Sequence, residues 1–119
     1  MTLEEFVEIC KPYLVGDLHL SDFWEDNTEV WINYKNSGVI RYLKNDKFEG
    51  ITVPYVMKIG NDSILILDKY GIRKTTGWNE DQNIDINDKK TLVKKLSELN
   101  KLSKEIKVKK KLKKVEAMF

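Results

Sequence analysis

The chain has 119 residues, 41% of them apolar and 34% charged, with a formal net charge of +2. That length suits one domain with one core, and the composition lies far from the low-hydrophobicity signature of a disordered chain. A single cysteine, Cys10, excludes an intramolecular disulfide and a four-cysteine zinc site.

No apolar run approaches the length of a membrane-spanning helix, and Met1-Thr2-Leu3-Glu4-Glu5 carries the wrong charge for a signal peptide. A soluble, cytoplasmic protein with no membrane association is the expectation. Lys, Asn and Ile are abundant while arginine occurs only at Arg41 and Arg73. AT-rich coding produces that bias, and it suggests a bacterial or phage source. The small net charge hides a gradient: residues 1–30 hold eight acids and one base, whereas residues 91–119 hold ten bases and three acids. Opposite ends of this kind point to an interaction surface, or to attraction between them within the fold or across a homodimer.

In chain order, Leu3, Phe6, Val7, Cys10 and Leu14 recur at helical spacing, with Thr2 and Glu5 as a capping box and Pro12 as the stop near Lys11. Residues 16–29 read as a loop or short helical turn. Val30, Ile32 and Tyr34 then alternate with Trp31, Asn33 and Lys35, the period of a half-buried strand. An Asn36-Ser37-Gly38 turn leads from it into a second strand over 39–43. A longer strand is expected to carry Ile51, Val53, Tyr55, Met57 and Ile59 on one face, with Pro54 pushing it toward an edge or bulge. It turns at Gly60-Asn61-Asp62 into Ile64 to Leu67, which is apolar on both faces and therefore expected to lie centrally. Gly71 to Thr75 is the candidate for a fifth strand.

Residues 78–87 read as a polar acidic loop, after which Asn87 or Asp88 caps a helix whose Leu92, Leu96, Leu99 and Ile106 share a face. Val108, Leu112, Val115 and Phe119 fall nearly opposite that face, so a break between Lys104 and Val108 is expected. The chain then divides into an α+β domain over 1–104 and a Lys-rich amphipathic helix or tail over 105–119. The fold expected is a four- or five-stranded, mainly antiparallel meander of hairpins, with the N-terminal helix and the 88–104 helix on one face.

Catalytic constellations are hard to assemble from these residues. His19 is the single imidazole and reads as a loop histidine, and Cys10, on an apolar stripe, reads as a small buried hydrophobe. No phosphate-cradling glycine motif occurs. Asp81, Asn83 and Asp85 match the first ligand positions of a calcium loop, but Ile86 and Leu92 stand where Gly and a bidentate Glu are required. No cofactor, no metal and no enzymatic activity are therefore expected.

Two surfaces remain. Asp22, Glu25, Asp26 and Glu29 surround Trp24 and Trp31, a mixture of acids and aromatics suited to a basic protein partner. Lys107, Lys109, Lys110, Lys111, Lys113 and Lys114 form the densest charge, suited to sequence-independent contacts with a nucleic-acid backbone. The first leads to the preferred expectation: a small interaction protein, of the kind phages and mobile elements encode as inhibitors or immunity proteins, that occupies a surface of a macromolecular partner. The second gives the alternative, a nucleic-acid-binding accessory protein.

The stretch Pro54 to Gly71, with its Ile59-Gly60-Asn61-Asp62 turn followed by an apolar strand, resembles the central hairpin of SMI1/KNR4-type immunity proteins. The resemblance covers under a fifth of the chain and carries no site residues with it.

Overall fold

The computed structural model describes residues 1–21, 29–71 and 82–117. The fold is α+β: a five-stranded antiparallel sheet, a separate two-stranded hairpin, a short N-terminal helix and a long C-terminal helix.

Helix α1 spans Leu3–Cys10. Its capping box forms as the sequence implies, with the Glu5 amide donating to Thr2 Oγ1 at 3.1 Å and the Thr2 amide donating to Glu5 Oε1 at 3.3 Å. A single 3-10 turn, Lys11–Tyr13, follows at Pro12, so Leu14 lies beyond the helix. The sheet order is β1-β2-β3-β4-β7, built from β1 (Leu18–Leu20), β2 (Glu29–Tyr34), β3 (Ser37–Lys44), β4 (Glu49–Val53) and β7 (Gln82–Ile84). The hairpin pairs β5 (Val56–Gly60) with β6 (Ser63–Leu67).

Several expectations shift. The loop expected over 16–29 contains β1, whose Leu18 and Leu20 pair with Tyr34 and Ile32. Two alternating leucines suffice because the core face of β2 lies beside them. The β2–β3 turn falls one residue early, at Lys35-Asn36, with Lys35 at φ 54°. Gly38 serves another purpose: a Cβ there would stand 2.6 Å from Trp31 Cε3, so a side chain would displace the indole.

The strand expected through 51–59 is two strands in different sheets. Buried Pro54 separates them, since a residue without an amide hydrogen cannot carry the ladder onward. Among the described residues β6 consequently pairs with β5 alone and has no central place; Ile64, Leu65 and Ile66 are only half-buried. Part of the expected acidic loop forms β7, paired with β4 through Ile51–Ile84, Thr52–Asn83 and Val53–Gln82. Of the segment proposed as a fifth strand, only Gly71 is described, and it sits in a bend.

Helix α2 runs unbroken over Lys89–Ala117. Asp88 caps it, its Oδ1 accepting from the Thr91 amide at 3.0 Å and its Oδ2 from the Thr91 hydroxyl at 2.8 Å. The break expected between Lys104 and Val108 is absent for a simple reason. A change in stripe phase demands a break only if both stripes must be buried against the same body, and here the second stripe is exposed.

The core lies between one face of the sheet and the two helices. Val30, Ile32, Tyr34, Ile40, Tyr42, Ile51 and Val53 meet Phe6 and Cys10 of α1 and Leu92, Leu96, Leu99 and Ile106 of α2. The rings of Phe6 and Tyr42 pack in a tilted arrangement with centroids 5.1 Å apart, and the Tyr42 hydroxyl donates to the Met1 carbonyl at 3.0 Å. Polar contacts fix α2 to its neighbours. Lys95, a residue only 8% exposed, donates from Nζ to the Tyr55 carbonyl at 2.8 Å just after Pro54, and Asn100 Nδ2 donates to the Tyr13 carbonyl at 2.9 Å.

Cys10 is fully buried, and burial pushes its thiol up to about 12. Its thiolate is therefore scarce at neutral pH. A thiol-specific reagent at pH 8 is expected to label native protein only at the rate of unfolding, and at once in denaturant; prompt labelling of the native chain would contradict this packing.

The two caps carry a pH signature. Hydrogen bonds from the Thr2 backbone hold Glu5 below the usual carboxylate range, and those from Thr91 do the same for Asp88. A group whose value is lowered on folding stabilises the fold above its unfolded value, and that contribution disappears as pH falls through the folded one. Thermal midpoints of wild type and of Glu5→Gln plus Asp88→Asn should accordingly differ at neutral pH and converge in acid.

Candidate interaction surface on the C-terminal helix

Along α2, the residues Leu92, Leu96, Leu99, Ser103 and Ile106 advance by alternating steps of four and three and are all buried. The next positions on that line are Lys110, Lys113 and Ala117. The core seam therefore ends at Ile106 because the sequence stops supplying apolar side chains to it. Beyond that point Lys110 is half-buried and every other described residue is exposed. The helix projects from the body, and the molecule measures 58 × 30 × 26 Å.

On the opposite side of the projecting turns a second seam begins. Val108, Leu112 and Val115 are 56%, 57% and 51% exposed. At 100° per residue they occupy a sector of about 60° facing away from the body. A shallow depression beside Val108 and Leu112 is lined also by Asn100, Lys101, Lys104, Glu105 and Lys109. Phe119, which continues the spacing, lies outside the described residues.

All six lysines singled out from sequence belong to this projection: Lys107, Lys109, Lys111, Lys113 and Lys114 are exposed, and Lys110 lies on the side turned toward Tyr34. Among the described residues none of the six forms an ion pair. They repel one another at helical spacing, as in Lys107–Lys111, Lys109–Lys113 and Lys110–Lys114, with Glu105 and Glu116 as the nearby acids. The structure adds Lys94, Lys101 and Lys104, exposed on the same outward side. Charge density along the sequence does not point to these three, because they stand outside the run of 107–114. The helical wheel that located the apolar seam would also have found them, as they lie within about 60° of its centre.

The other predicted surface is only partly on view. Asp22, Trp24, Glu25 and Asp26 lie outside the described residues. Glu29 and Trp31 stand on the face of β2 turned away from the core, where Trp31 Nε1 donates to Glu29 Oε1 at 2.7 Å. The Arg41 guanidinium lies 5.5 Å from the indole centre. Trp31, Arg41, Thr52 and Asn83 form a row across four strands, and the Thr52 hydroxyl donates to Asn83 Oδ1 at 2.9 Å. The indole is thus held by its carboxylate, its cation and Gly38, and it packs the outer sheet face instead of the core.

His19 is exposed on β1, its Nδ1 3.2 Å from the Asp17 carbonyl. Of the residues resembling a calcium loop, Asn83 is bonded to Thr52, Asp85 accepts from the Asn87 amide at 2.8 Å, and Asp81 lies outside the described residues. Among the described residues no three His, Cys, Asp or Glu side chains cluster to hold a metal, and no helix is long and apolar enough to cross a membrane.

No protein-family model matches the chain, and no curated protein or solved structure matches it.

Proposed function

We propose that this is a non-enzymatic interaction protein that works by occupying a surface of a macromolecular partner, with the projecting end of α2 as the contact. The observation that carries the reading is the exposure of Val108, Leu112 and Val115, each more than half open to solvent, between flanking lysines. An apolar seam surrounded by charge stabilises nothing in the monomer, whereas covering it in a complex removes apolar surface from water. Inhibitor or immunity protein is the closest functional class, by analogy with other small proteins of this design.

The six lysines support a second reading, sequence-independent contact with a nucleic-acid backbone. It ranks below the first because phosphates would neutralise the lysines and leave the seam in water. Arginine is absent from the projection, and so are interleaved aromatics among its described residues, the groups that read or stack on bases.

The test is affinity capture from the native host with wild-type protein and with Val108→Ser plus Leu112→Ser, both exposed and hence harmless to the fold. A protein held by wild type and lost from the variant is the expected result. Equal capture by both, or capture of nucleic acid alone, would refute the proposal.

A further inference from the structure

Resting on that reading, we infer that the projecting end of α2 takes an acidic amphipathic helix of its partner, docked along Val108, Leu112 and Val115 as in a short coiled coil.

Three observations converge on this occupant. The first is the seam's shape. Its residues step by four and then three, and they span about 60° of the helix. A narrow seam of that kind matches knobs-into-holes pairing with another helix, whereas a helix lying on a lipid surface presents a wide apolar face. The second is the charge beside the seam. With Val108 and Val115 at d positions and Leu112 at a, Lys104 and Lys111 take g positions and Lys109 and Glu116 e positions. That sets three bases to one acid at the sites that choose a partner, while Glu105 at the preceding a position ends the apolar seam. Acids on the facing helix would meet the lysines in complementary pairs. In a parallel second copy of this chain Lys104 would oppose Lys109 while Lys111 met Glu116, so a copy satisfies the charge less fully than a partner acidic at each facing position.

The third is the state of the free helix. The lysines of 107–114 repel one another turn by turn and form no ion pair among the described residues. Negative charge from a partner removes that repulsion while the seam is covered. Nucleic acid would satisfy the charge alone, and a neutral helix the seam alone; an acidic amphipathic helix satisfies both.

The test uses three synthetic 21-residue probes with leucine at a and d. One carries glutamate at every e and g position, one carries lysine there, and the third is the first in scrambled order. Titrated into the full chain at low and at physiological salt, the glutamate probe is expected to bind at least tenfold more tightly than either control, with a gain in helical circular dichroism. Leu112→Ser should weaken it about tenfold or more, and Lys109→Glu plus Lys111→Glu should switch preference to the lysine probe. Equal binding of the two charged probes, indifference to Leu112→Ser, or tighter binding of duplex DNA or anionic vesicles at matched salt would each overturn the inference. Its failure is separable from that of the broader reading. If a host protein is lost with the seam substitutions yet tolerates the Lys109 and Lys111 reversal, the interaction stands and the acidic helix does not.

Discussion

Phe6→Ala is expected to lower stability by about 3–5 kcal/mol, the usual cost of emptying a buried aromatic site. Phe6 is fully buried, packs against the Tyr42 ring and is, with Cys10, one of two buried side chains of an eight-residue helix. So short a helix has little stability of its own, and it persists because its apolar face is packed. Removing the ring should therefore loosen all of α1. Two readouts follow. The denaturant midpoint should fall with little change in m, since both forms expose similar surface on unfolding. Cys10 should become reactive to thiol reagents well below that midpoint. Phe6→Leu keeps most of the volume and should cost less than about 1.5 kcal/mol. A loss below about 1 kcal/mol for Phe6→Ala, or a thiol that stays protected, would mean that α1 is not held as described.

The second large effect separates fold from function along α2. A chain ended after Lys110 keeps Ile106 with the helical turn that follows it, and loses residues 111–117, all exposed, together with Met118 and Phe119. Exposed positions outside special features contribute within about 0.5 kcal/mol each, so its thermal midpoint should stay within a few degrees of wild type while partner capture is lost. Ending the chain after Leu102 removes Ser103 and Ile106, 5% and 2% exposed, and uncovers the core beneath them. That truncation should cost about 2–5 kcal/mol, as other large apolar losses do. If the two truncations destabilise equally, the projection is part of the fold and the proposed contact loses its basis.

Much of this molecule follows from local rules. The capping box at Thr2 and Glu5, the stop at Pro12, the alternation of Val30, Ile32 and Tyr34, the Asp88 cap and the seam of Leu92, Leu96, Leu99 and Ile106 each depend on spacing within a few turns or a few residues of strand. The α+β class follows from those elements together. The Lys-rich end and its out-of-phase apolar seam were likewise legible, since a helical wheel needs no partner to draw.

What only the tertiary structure decided involves contacts between distant residues. Pro54 signals an interruption from sequence alone, but that β4 and β5 join different sheets, with Lys95 reaching the Tyr55 carbonyl from forty positions away, is visible only in the fold. β1 and β7, three residues each, are too short to announce themselves and exist because β2 and β4 offer them unpaired edges. Gly38 reads as a turn glycine until the Trp31 ring is seen above it. The phase change in α2 had two solutions, a break or an exposed second seam, and periodicity alone treats them as equal. Burial separates them, because the buried seam ends at Ile106 and, of the described residues beyond it, Lys110 alone is half-buried and the rest are exposed.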